Sequence, residues 1–310
     1  MHLVGDIGGT NARLALTEPG STEPLAEWRA TTADFRDFES ALATYLAQTG
    51  AAVSRGCLAV AGPIDDGGRS ARLTNFPWTF DAAALEQRFG IGRVLLVNDF
   101  AAAAIGVTVA PAESIVPVQD GEPLERAPKV VLGAGTGLGM AMLVPDSAGW
   151  RVLPGEGGHV AFAPQDEDQA RVWRALNARH GRVTAERVIS GPGLAAIHHI
   201  LAGIELDPAE IARRGMVDGE AAAHRSLAVF LAAYGAFAGD MALATMARAG
   251  VYLAGGIAAR VLPILPASPF LAAFNAKAEH AELARRMPVA VVTDPALGLR
   301  GAACLGAPSP

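Results

Sequence analysis

Apolar positions fall in short runs that end abruptly at glycine or at paired polar residues. HLVGDI (2–7) and ARLALT (12–17) flank GGTN and read as two strands joined by a turn. GCLAVAGPI (56–64) is a continuous apolar run stopped by Gly-Pro, the pattern of a buried strand. FDAAALEQRFG (80–90) predicts a helix with Asp81 as its N-cap. VLLVNDF (94–100) predicts another buried strand whose carboxyl end delivers Asn98 and Asp99, and AAAAIG begins a helix behind them. The stretch 110–128, with several Pro and Glu residues, reads as a loop crossing from one lobe to another.

PKVVLGAGTGLGMAMLV (128–144) then repeats the strand, Gly/Thr turn, strand pattern of the N-terminus. WRVLPGEGGHVAFAP (150–164) reads as a glycine-rich loop that holds Glu156 and His159. DEDQARVWRALNARHG (166–181) predicts a helix with acid in its first turn and Arg/His in its last. Residues 220–249 form a long Ala-rich helical pattern, 250–261 a strand, a Gly-Gly turn and a helix start, and 288–304 a final strand and helix. Alternating strands and helices imply α/β lobes.

A chain of 310 residues suits two modest domains or one large one and can bury a core without staples. Hydrophobic residues make up 51%, but much of that is Ala, so no membrane segment follows. The most apolar stretch, SLAVFLAAYGAFAG, stops at Asp240 and is too short to span a bilayer. Gly235 and Gly239 within it read as close helix packing in a core. MHLVGD lacks a basic segment followed by an apolar one, so no signal peptide is expected. Cys57 and Cys304 offer neither a disulfide framework nor a CxxC pattern. A reducing cytoplasm and two buried apolar thiols are expected. The net charge is -6 and basic residues do not cluster, so nothing suggests a nucleic-acid face. Lys129 and Lys277 are the only lysines, so a phosphate site has to rely on backbone N–H groups, Arg or a metal.

The two Gly/Thr turns are Gly8-Gly9-Thr10, with Asn11 behind it, and Gly135-Thr136-Gly137. Glycine permits positive φ and close approach of backbone to a ligand, and consecutive N–H groups form an anion-binding hollow. Either turn alone is equally an ordinary glycine hairpin. A third turn, Gly255-Gly256, makes coincidence less attractive. Asp6 beside phosphates would be repulsive without a cation, so it points to Mg2+. A Walker A loop is excluded because no Gly-Lys pair occurs, and GAGTGLG has Leu138 or Met140 where a dinucleotide fingerprint needs its third glycine. Asn98 and Asp99 leave an apolar strand at its carboxyl end, where α/β sheets bind ligands; a helix N-cap is the plain alternative. Glu156 and His159, and Glu186 in TAERVISGPG, are further polar candidates. For these the plain alternatives are a buried histidine and a solvated carboxylate. His198-His199 is not metal-like, since neighbours on a helix face apart, and no GxSxG elbow is present.

Taken together, DIGGTNARLAL, LAVAGPI, LLVNDFAA, GAGTGLGMA, LPGEGGHVAFAP, AERVISGPGL, YLAGGIAAR and GLRGAA resemble bacterial glucokinase, of the sugar kinase, actin and heat-shock ATPase superfamily. The resemblance runs in order along nearly the whole chain. It implies two ribonuclease-H-like (actin-like ATPase) α/β lobes with a central cleft, drawn here as 1–109 with 297–310 and as 110–296. It implies ATP-dependent phosphorylation of glucose at the 6-hydroxyl, the entry step of glycolysis. Asp99 would be the catalytic base, with Asn98, Glu156, His159 and Glu186 holding other hydroxyls. Gly8, Gly9, Thr10, Asn11, Gly135, Thr136 and Gly137 would cradle phosphates, and Gly255 and Gly256 would lie near the nucleoside. Asp6 would steer hydrated Mg2+. A homodimer is also implied. AFAPQDEDQ carries no Cys where the repressor and open-reading-frame sugar kinases have a zinc motif, so no zinc is expected. No helix-turn-helix segment precedes Met1, which disfavours a DNA-binding regulator. Another hexose as substrate, or a non-catalytic sugar sensor, remains an alternative on the same fold.

Overall fold

The computed structural model describes residues 1–147 and 149–307. The chain forms two compact units, Met1–Ala112 with the chain from Asp294 onward, and Glu113–Thr293. The first unit runs β1 (His2–Ile7), β2 (Asn11–Thr17), β3 (Leu25–Thr31), α1 (Phe38–Thr49), β4 (Arg55–Val60), a small hairpin of β5 (Ser70–Arg72) and β6 (Thr79–Asp81), α2 (Ala82–Phe89), β7 (Arg93–Asn98) and α3 (Asp99–Gly106). The second runs β8 (Ile115–Gln119), β9 (Lys129–Ala134), β10 (Leu138–Asp146), β11 (Gly149–Gly155), α4 (Glu167–His180), α5 (Gly191–Ala202), α6 (Pro208–Arg213), α7 (Ala221–Thr245), β12 (Gly250–Ala254), α8 (Gly256–Val261), α9 (Phe270–Asn275), α10 (Ala281–Arg285) and β13 (Val289–Val292). The chain then returns to the first unit as α11 (Leu297–Gly306).

The two units repeat one sheet. The first has the order β3-β2-β1-β4-β7, and the second has β11-β10-β9-β12-β13 with β8 added at the edge. In each, an antiparallel meander of three strands is followed by two parallel neighbours. This is the ribonuclease-H-like α/β arrangement. The parallel strands β4, β9 and β13 are apolar because helices cover both faces. Each unit has its own core. Leu3, Leu14, Phe38, Trp78 and Phe80 belong to the first, and Val130, Leu132, Phe230, Tyr234 and Leu253 to the second.

Helix starts follow their caps. Asp81 accepts the Ala83 and Ala84 N–H groups, and Asp166 accepts that of Gln169. The apolar helix α7 is long enough to cross a membrane, but it is a core helix of the second unit. Its Gly235 and Gly239 let the α9 backbone approach; an added methyl at either would overlap the carbonyl oxygen of Phe270 or Phe274. His198 is buried structure, its Nδ1 3.0 Å from the Ser226 hydroxyl.

Three expectations need correction. The stretch 110–128 is not all loop, because Ile115–Gln119 pairs with β13 as an antiparallel edge strand. Part of the glycine-rich segment is likewise a strand, Gly149–Gly155, paired with β10. Finally, Cys57 is buried, and burial pushes its thiol up to about 12, but Cys304 is only half-buried.

Candidate active site

In the first unit the expected polar residues gather at one edge of the sheet. Ile7, Val60 and Asn98 lie level across β1, β4 and β7. The Gly8–Thr10 turn and the Asn98-Asp99 pair therefore share the carboxyl edge of the parallel strands, two strand spacings or roughly 10 Å apart. The turn is closed by the Gly8 N–H donating to the Asn11 carbonyl at 2.9 Å. Buried Thr32 braces it, with its hydroxyl donating to the Gly8 carbonyl at 3.0 Å and its N–H to that of Thr10 at 3.0 Å. Thr10 is left exposed at the tip. Asn11 is half-buried, and its Oδ1 accepts from Arg29 Nε at 3.2 Å, which occupies that oxygen with the fold.

Asp6 is half-buried at the end of β1, close against Gly298 in the first turn of α11. Burial pushes its carboxyl above the usual range, and Arg13 only partly offsets this. Such a carboxylate is short of positive charge. Among the described residues no group of three His, Cys, Asp or Glu is placed to hold a metal ion. One carboxylate with no companions suits a hydrated cation carried in by phosphates, not a protein-made metal cage.

Asn98 is the N-cap of α3, accepting the Ala101 N–H at 3.0 Å, so the capping reading holds for this residue. Asp99 is the first helical residue, half-buried, and its Oδ1 accepts the Phe100 N–H at 2.9 Å. That bond fixes the carboxylate beside the strand end.

The second unit brings its candidates closer together. The Gly135 N–H donates to the Gly137 carbonyl at 2.8 Å, with Thr136 exposed at the tip. The Gly135 carbonyl accepts the N–H of Gly191, the first residue of α5, at 2.7 Å. On the other flank, half-buried Glu186 accepts the Leu138 N–H at 2.9 Å. The Glu186 N–H donates to the Gly158 carbonyl at 2.9 Å, joining it to the turn that carries Glu156 and His159. Those two side chains are exposed, with His159 Nε2 3.8 Å from Glu156 Oε2. The expected buried-histidine alternative therefore fails for His159.

Gly255-Gly256 follows β12 beside the same turn, since Ala254 pairs with Gly133. Gly255 caps α8 at φ 87°, in the region that favours glycine. The other turn glycines do not need positive φ. Space is what matters at Gly137, where a Cβ would sit 2.6 Å from Glu186 Oε2. Asn75, which packs against Gly9, and the bracing Thr32 were not foreseen. Neither lies in a motif that marks it.

Comparison with known proteins decides the family. A family profile described as glucokinase matches residues 3–308. The chain is 38% identical to a glucokinase of Chromobacterium violaceum over 310 residues, covering 97% of this chain and 88% of that protein. The chain belongs to the glucokinase family. A Salmonella typhi glucokinase is 37% identical over 305 residues, covering 96% of this chain and 94% of that one. In three dimensions, the crystal structure of a glucokinase from an Antarctic psychrotroph superposes with a TM-score of 0.84 at 33% identity, covering 98% of each chain. Membership in the glucokinase family thus rests on the whole length of both units, and the fold is that of the family.

Proposed function

We propose that the protein is a glucokinase, transferring the γ-phosphoryl group of ATP to the 6-hydroxyl of glucose to give glucose 6-phosphate and ADP. The observation that carries this reading is Asp99. An ionisable side chain stands just past the apolar run 94–97 of β7, as the first residue of α3, and is fixed at the sheet edge that also carries the first Gly/Thr turn. The substrate chemistry agrees. A hexose offers hydroxyls and an apolar ring face, and acceptor-only carboxylates such as Glu156 and Glu186 suit adjacent hydroxyls. The exposed tips Thr10 and Thr136, with the N–H groups around them, suit phosphate oxygens.

In the step, Asp99 accepts the proton of the 6-hydroxyl as its oxygen bonds to the γ-phosphorus. The bond from that phosphorus to the β,γ-bridging oxygen breaks, and ADP leaves with the electron pair. Asp6 would hold water of a phosphate-bound Mg2+, which supplies neutralising charge on the phosphates when bound. Positioning and electrostatics provide most of the acceleration in phosphoryl transfer. A homodimer in the cytoplasm, as the family suggests, is part of the same reading; sedimentation tests the dimer.

A hexose-by-nucleotide activity matrix tests the function. The expected result is glucose turnover with Mg2+ATP well above that with mannose, fructose or N-acetylated hexoses. A preference for another hexose overturns the substrate, and glucose binding without turnover overturns the enzyme. Thr136→Val gives a narrower test. It removes an exposed hydroxyl without touching the Gly135 and Leu138 bonds, so KM for ATP should rise roughly tenfold while KM for glucose holds. An unchanged KM for ATP removes the second turn from the nucleotide site.

A further inference from the structure

We propose that Glu186 is a positioning residue for the nucleotide as well as a sugar ligand, and that through it glucose raises the affinity for nucleotide. The inference rests on the glucokinase reading. It starts from a contact that sugar binding alone does not call for. One carboxylate oxygen, Oε2, accepts the Leu138 N–H at 2.9 Å, at the exit of the Gly135–Gly137 turn. A Cβ on Gly137 would come within 2.6 Å of that same oxygen, so the carboxylate lies directly on the flank of the turn.

Three segments meet there. The backbone of Glu186 is held by the Gly158 carbonyl at 2.9 Å, and an added methyl on Gly158 would overlap the Leu138 carbonyl oxygen. Residues 135–138, 156–159 and 184–186 are therefore one hydrogen-bonded block. The far end of the turn is pinned by backbone alone, through Gly191 and Gly135. The near end is pinned by a side chain, and that side chain is half-buried and keeps a second oxygen without a hydrogen bond among the described residues. A sugar hydroxyl that donates to the second oxygen acts on the turn in two ways. It fixes the rotamer that braces Leu138, and it disperses negative charge lying beside phosphates. Both effects favour nucleotide, and linkage requires that nucleotide favour glucose by the same factor.

The variants separate brace from charge. Glu186→Gln keeps an oxygen that accepts the Leu138 N–H and removes the charge. Glu186→Ala removes both. Binding of a non-hydrolysable ATP analogue is measured by calorimetry, with and without glucose. In the unsubstituted protein, glucose should tighten the analogue by at least about fivefold. Without glucose, Glu186→Ala should bind the analogue roughly tenfold more weakly than Glu186→Gln. A residue serving only as a sugar ligand would leave those two variants equal, and that equality overturns the inference. So does an analogue affinity in the unsubstituted protein that glucose leaves unchanged. If Glu186→Ala does not fold, Gly137→Ala takes its place. Its methyl displaces Oε2 without altering Glu186, and it should weaken glucose and the analogue together; a loss of neither overturns the brace. Failure of the unsubstituted protein to bind glucose at all would instead refute the functional reading, so the two failures are distinguishable.

Discussion

Replacing Asp99 with asparagine lowers kcat by about 10²–10⁴-fold and leaves glucose affinity within a few-fold. The substitution is chosen because the local structure tolerates it. Asp99 accepts the Phe100 N–H through Oδ1, and an asparagine Oδ1 can accept the same bond. The neighbouring cap, Asn98 on the Ala101 N–H, is untouched, so α3 starts where it did. What disappears is the ability to take the hydroxyl proton. An amide can still hydrogen-bond a sugar hydroxyl, which is why ground-state binding survives while the transition state loses its base. Steady-state kinetics paired with direct glucose binding reads both quantities. A variant with near-normal kcat would show that Asp99 is not the base. Loss of binding and rate in equal measure would make it an anchor for the sugar instead.

The sequence made the central parallel strands legible because a strand covered on both faces is a continuous apolar run, as in GCLAVAG. The edge strands β3 and β8 carry no such run. Leu25–Thr31 is mostly exposed, and Ile115–Gln119 is interrupted by Pro117, which an edge strand accepts. Their existence depends on pairing with β2 and β13, a tertiary fact absent from local pattern. The candidate site divides the same way. Residues inside motifs, such as Asp6, Asp99 and the turn glycines, could be named from the chain. Their supports could not. Thr32 and Leu138 act through a hydroxyl or a backbone N–H placed by the fold, and any residue with that group in that place would serve. Of the two reasons for glycine there, positive φ and close backbone approach, only Gly255 of that set uses the first, while a Cβ on Gly137 would meet the Glu186 carboxylate.

Gly301→Ala should destabilise the first unit by about 3 kcal/mol, at the upper end for a small-to-large change in a packed interior. Helix propensity argues the other way, since alanine inside a helix gains up to about 1 kcal/mol over glycine. Packing decides the sign. Gly301 in α11 faces Ala102 in α3, and the added methyl would overlap the Ala102 carbonyl oxygen and approach its Cα to 3.0 Å. One turn further along, Gly106 meets the Leu297 carbonyl in the same way, so the two helices touch backbone to backbone at both points. Flexible side chains yield to an added atom by changing rotamer, but a carbonyl oxygen in a helix cannot, so the helices must part. The expected loss in melting temperature is roughly 10–15 °C for a unit of this size. A second effect follows from where α3 begins. Its first residue is Asp99, fixed by a bond to its own helix, so a displaced α3 carries the base away from the sheet edge. Misplacement by about 1 Å can cost on the order of 100-fold in rate. Thermal melting and kcat measured on the folded variant below its transition test both parts. A melting temperature equal to that of the unsubstituted protein would mean that the α3–α11 contact yields more readily than backbone packing allows. A lowered melting temperature with unchanged kcat would mean that Asp99 is held in place by β7 and not by its helix.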